Sequence, residues 1–134
     1  MQENLMTLWK SGIIGAVFSV SVNIILLFLL KPLTGVPENF MALSPSPVIG
    51  WSVIGIVGAT IVYALLRKYA KKPKDLFGLV SFVVLLASFI PDVLILDMTS
   101  GPFAGATWGA VFLLMLMHVV VAGIVTYLFI KKTL

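Results

Sequence analysis

Four apolar stretches, Ser11 to Leu30, Val48 to Leu66, Leu76 to Leu96 and Ala106 to Ile130, leave this chain little choice of fold. Each is near or above the ~20 residues a helix needs to cross the hydrocarbon of a bilayer. Inside that layer the backbone has to satisfy its own hydrogen bonds, so each stretch is read as a helix. Composition agrees, with 60% of the 134 residues hydrophobic and 10% charged, against about 25% charged in soluble domains. The expected architecture is one all-α domain over residues 1–134, an integral membrane, antiparallel up-down bundle with transmembrane helices at about 9–31, 47–71, 75–97 and 103–131. The first stretch exceeds the 7–15 residues of a secretory signal core and no small-x-small cleavage site follows it, so it is expected to be retained.

Charge placement predicts orientation. Lys10 precedes the first helix, Arg67, Lys68, Lys71, Lys72 and Lys74 fill the second link, and Lys131 and Lys132 follow the fourth helix, leaving Lys31 alone on the other side. That bias, eight of nine basic residues, predicts cytoplasmic termini in a multi-pass protein of the cell membrane. It also accounts for the net charge of +4 without a nucleic-acid partner; the bilayer and its anionic headgroups are the expected surroundings. The absence of cysteine excludes disulfides and thiolate metal sites.

Polar residues inside the apolar stretches carry the remaining information. In helix one, Gly12, Gly15, Ala16, Ser19 and Asn23 recur at spacings of three and four, so they share a stripe that should face another helix. Ser52, Gly55 and Ala59, with Gly58 beside them, make a second small-residue stripe on helix two, also expected to pack tightly. Ser46-Pro47 reads as the start of helix two, and Asp75 as the cap of helix three, which a short link makes an antiparallel neighbour of helix two. Helix three nears its end at Ser88-Phe89-Ile90-Pro91-Asp92. Pro91 cannot donate to the carbonyl of Ala87, so a bend is expected there, with a water, His118 or Ser88 supplying the missing donor.

An acid in hydrocarbon costs about 2.5–3.5 kcal/mol even on lenient scales, so Asp92 should face protein or water. Helix four carries the only histidine, His118, eleven residues or about 16 Å beyond Thr107. Counted from the presumed outer end of each helix, Asp92 is about 6 Å deep, Asn23 about 10 Å and His118 deepest. If all three point inward they line one cavity open to the outside and closed below by apolar residues. The bland alternative has Asp92 reaching outer water, His118 bonded to a carbonyl and Asn23 bridging helices. The loop from Lys31 to Pro47 has four prolines and is either a connector or a lid over the bundle mouth.

An Asn in helix one, Gly35-Val36-Pro37, the basic link, Ser88 to Pro91 and Met117-His118-Val119-Val120-Val121-Ala122 together resemble an uncharacterised family of small four-transmembrane-helix bacterial membrane proteins. The resemblance implies the same four-helix architecture and importance for the Pro91 and His118 positions. It implies no activity.

No lysine lies within the apolar stretches to form a retinal Schiff base, one histidine cannot supply bis-histidine haem within a chain, and neither a Ser-His-acid nor a two-histidine metal pattern occurs. Neither an enzyme nor a cofactor is therefore expected. Two function classes remain. In one, the chain binds or moves a small solute, proton or lipid in an outward-facing cavity, with Asn23, Ser88, Asp92 and His118 as the ligand-binding residues; with no basic side chain at that depth, such a ligand is a small cation or a partly apolar neutral molecule. In the other, the small-residue faces dock a non-catalytic scaffold to a second copy or to a larger membrane complex.

Overall fold

The structure is a computed structural model that describes residues 2–101 and 103–132, with side chains for 6–101 and 103–131. The side chain of Lys132, counted above among the basic residues, thus lies outside the described residues. Four helices carry the fold: α1 (Gln2–Leu30), α2 (Pro45–Tyr69), α3 (Pro73–Leu94) and α4 (Trp108–Thr126), the last continuing as a π-helical stretch, Tyr127–Lys132. All four are long and apolar enough to cross a membrane, and no strand occurs among the described residues.

Boundaries move where local chemistry differs from the expected signals. Helix two starts two residues earlier than expected, at Pro45 instead of Pro47, with Ser44 in the cap position. Either serine-proline pair suits a helix start, and Ser44 is the one with extended backbone. Helix three starts at Pro73, which puts Asp75 inside the first turn instead of at the cap. Helix four starts at Trp108 rather than 103, because Gly105 takes a positive φ of 84° and the Thr107 side chain accepts from the Ala110 N–H.

Two apolar clusters show the alternating direction of the helices. At the end holding the basic link, Leu8 of α1, Tyr63 of α2, Phe77 of α3 and Phe129 beyond α4 are buried together. The rings of Tyr63 and Phe129 stack at 5.3 Å, and Phe77 meets them at 5.0 and 5.5 Å. At the opposite, loop-bearing end, Leu27, Val48, Ile95 and Val111 form the second cluster, one contribution from the end of each helix. Each helix packs on its neighbours in sequence, α4 closes the ring against α1, and α4 also touches α2 across it.

The link between α1 and α2 is neither a loose connector nor a hinged cover. Val36, Phe40, Ala42 and Leu43 are buried in the loop-end cluster, with a short 3-10 turn over Met41–Leu43. Lys31 fastens it, its Nζ donating to the carbonyls of Leu43 at 2.6 Å and Glu38 at 3.2 Å. The one basic residue at this end therefore serves main-chain acceptors within the link. The segment plugs the bundle mouth.

The stripe on α1 does what its spacing predicts. Gly12, Gly15, Ser19 and Asn23 are buried, and a Cβ added at Gly12 would lie 2.7 Å from Oγ1 of Thr60 on α2. The stripe on α2 divides. Ser52 is buried and Ala59 half-buried, whereas Gly55 and Gly58 are exposed; a Cβ at Gly55 would meet only Val121 of α4, and one at Gly58 nothing within 4 Å. Tight packing was expected along this whole stripe; in fact Gly58 faces open space. Only Phe77 and Asp92 of α3 are buried, so this helix touches the bundle firmly near its two ends.

Candidate functional site: a side-opening groove

The space between α2 and α3 is a groove of about 770 Å³ floored by α4. Gly55, Gly58 and Val62 form one wall, Val84, Ser88 and Asp92 the other, and Met117, His118 and Val121 the floor. Exposed residues of both helices, Trp51 and Ile54 against Val84 and Leu94, edge the opening. An outward-facing cavity was expected, and Ala42, Met98 and Phe103 do carry the lining to the loop-bearing end, beside the buried Phe40 and Leu43.

All four candidate residues, Asn23, Ser88, Asp92 and His118, contribute to this lining. Two of them meet. His118 Nδ1 and Asp92 Oδ2 are 2.8 Å apart, and with the ring proton on Nδ1 the N–H donates to the carboxylate. Asp92 therefore does not reach outward to water, nor does His118 bond to a carbonyl. The expected 10 Å difference in their depths is absent as well. Counting inward from each helix end assumed level ends, but the 98–107 link lets α4 begin farther out than α3 stops. The N-terminus of α4 lies beside the residues that follow α1, and a Cβ built at Gly109 would overlap the carbonyl oxygen of Thr34.

Asn23 occupies the back of the groove. Its Nδ2 donates to Ser52 Oγ at 2.9 Å, joining α1 to α2, while its Oδ1 is buried with no hydrogen-bond partner. Ser19 Oγ, one turn along the same stripe, is also buried and unpartnered. Exchanging the amide nitrogen and oxygen would only move the orphan to the other atom. Ser88 donates to the Leu85 carbonyl at 2.6 Å, so it does not serve the carbonyl of Ala87 freed by Pro91. The helical pattern continues past Pro91 to Leu94.

Sequence reasoning placed Ser52 in a packing stripe and missed its role as partner of Asn23; a hydroxyl in a small-residue stripe of its own was the available signal. It also missed Ser19 as a second buried polar atom, although Ser19 and Asn23 share a face by their spacing of four. No group of three or more His, Cys, Asp or Glu side chains suited to a metal ion occurs among the described residues.

The chemistry of the site follows from these contacts. With the imidazole neutral, Nδ1–H is engaged by Asp92 and the Nε2 lone pair is left as an acceptor on a side chain that is 39% exposed. The walls are apolar, and the polar atoms gather at the dyad and at Asn23. Such a surface favours a molecule with an apolar body and one polar end.

Residues 3–133 match a family of unknown function, DUF6069. No curated protein matches the chain, and no solved structure does.

Proposed function

The chain belongs to that family of unknown function, so a reading has to come from the geometry, and we propose that it is a non-catalytic protein of a bacterial cell membrane that binds a mostly apolar small molecule in the groove between α2 and α3. The molecule enters sideways from the lipid and sets its polar end against Asp92 and His118. One observation carries this reading: a groove of about 770 Å³ keeps a buried acid paired with a half-exposed histidine at its floor. A polar pair inside hydrocarbon is costly, and a position facing an open apolar space is a default candidate for function.

Native mass spectrometry of the detergent-purified protein tests it. A small amphiphile should ride on the native chain and be missing from Gly58→Leu, whose new side chain grows from a groove-lining position with nothing within 4 Å of its Cβ. Equal adducts on both proteins overturn the reading.

A second reading is favoured by Gly55 and Gly58, which are exposed along the same opening. Small residues on an open helix face let another backbone approach closely, so the groove also suits a transmembrane helix from a second copy or a larger complex. In that case Gly58→Leu dissociates a complex instead of removing an adduct.

A further inference from the structure

We infer that the ligand of this groove is a lipophilic cation, an amine with an apolar body whose ammonium group pairs with Asp92. The inference rests on the ligand-binding reading above and adds the chemical class.

At the dyad itself the hydrogen-bond bookkeeping leaves acceptors, while the second Nδ2–H of Asn23, the Ser52 hydroxyl and the Trp51 indole N–H lie elsewhere in the lining, none of them bonded to the dyad. The Nδ1–H of His118 goes to Asp92, the hydroxyl proton of Ser88 to the Leu85 carbonyl, and Nδ2 of Asn23 to Ser52. What remains at the dyad is the second carboxylate oxygen of Asp92 and Nε2 of a neutral His118. The other hydroxyl protons in the lining belong to Ser52 and Ser81. Ser81 lies eleven residues before Asp92 on the same helix, about 16 Å away. A ligand that meets the dyad therefore has to donate.

Charge narrows the class further. Asp92 and His118 are the two titratable side chains in the lining, which includes no lysine or arginine; α1, α2 and the plug contribute none. With the imidazole neutral the lining carries one negative charge, and with it protonated it carries none. In neither state is there a net positive charge to hold an anion. An ammonium group brings the counter-charge that the carboxylate lacks in the first state, in surroundings where charge pairs interact far more strongly than in water. A neutral alcohol satisfies the acceptors but leaves that charge unpaired.

Three amphiphiles with one chain and different heads separate these outcomes: ω-bromododecylammonium, ω-bromododecanol and ω-bromododecanoate. Trp51 edges the groove and reports contact through bromine quenching once Trp9→Phe and Trp108→Phe have removed the other two tryptophans. The full chain is measured in phosphatidylcholine nanodiscs, with Gly58→Leu as the blocked-groove reference for quenching from the lipid. The ammonium should quench at mole fractions lower by about tenfold than the alcohol or the acid. Asp92→Asn should bring it to the level of the alcohol, and Asp92→Glu should retain the preference. If the alcohol or the acid quenches as well as the ammonium, or Asp92→Asn leaves the ammonium unaffected in a folded sample, the cation assignment is overturned while the groove remains a binding site. If none of the three exceeds the Gly58→Leu reference, the binding reading falls with it.

Discussion

His118 and Asp92 are unequal partners, with side-chain exposures of 39% and 7%. The imidazole has access to the groove and can change tautomer when its acceptor is altered; the carboxylate is enclosed and depends on the one donor it has. Removing His118 therefore leaves a buried group unsatisfied, at a cost of about 1–3 kcal/mol. Asp92→Asn keeps an oxygen for the Nδ1–H and removes only the charge. Unfolding by denaturing detergent should rank His118→Ala as the more destabilising of the two, and the reverse order would contradict the geometry. The Asn23 amide behaves differently, because half of it is already unpaired. Interhelical hydrogen bonds in membranes average only about 0.6 kcal/mol, and replacing both partners by apolar groups is close to neutral. The double substitution Asn23→Leu, Ser52→Ala should stay within about 1 kcal/mol of the native chain in the same assay; a larger loss would assign that seam a structural role the orphan does not indicate.

At the scale of elements, α1 and α2 share the most extensive contact, while α3 rests chiefly on α4 and buries only Phe77 and Asp92. Thr60 stands within 2.7 Å of where a Cβ at Gly12 would fall. Gly12→Leu should cost about 1–3 kcal/mol by overpacking. Gly58→Leu meets open space and should fall within about 0.5 kcal/mol of native, as exposed substitutions do. Thermal unfolding in one detergent compares them directly, and equal costs would show that the two glycines share one environment. Phe77 is the attachment of α3 at the basic end, through its rings with Tyr63 and Phe129. Spin labels at the exposed positions Lys68 and Leu79 should give a broader distance distribution in Phe77→Ala than in the native protein. An unchanged distribution would mean that the short 70–72 link holds the helix by itself.

For the whole molecule, the gathering of basic residues at one end implies different exposures for the two ends. The chain has no cysteine, so single thiols can be placed at will. Asn39 and Lys71 are both exposed, at opposite ends of the bundle. In intact cells a membrane-impermeant reagent should label a cysteine at Asn39 and spare one at Lys71, as the distribution of lysine and arginine requires. Labelling of both or of Lys71 alone would refute cytoplasmic termini.

Four helices, their order and the inward face of α1 were legible in residue order alone, because apolar length and a spacing of three and four are local properties of a chain that has to satisfy its backbone without water. The presence of Asn23, Ser88, Asp92 and His118 at one site was an expectation from the cost of lipid exposure, and the direction of each side chain was not. That depended on how far each helix slides along its neighbours. The 98–107 link permits an offset of α4 against α3 that no count from the helix ends contains, and this offset brings His118 to Asp92. The place of the opening was likewise beyond local patterning. Gly55 and Gly58 read the same whether a helix packs on them or lipid does. Only the tertiary arrangement, with Phe77 and Asp92 as the buried residues of α3, decides that a groove lies between α2 and α3.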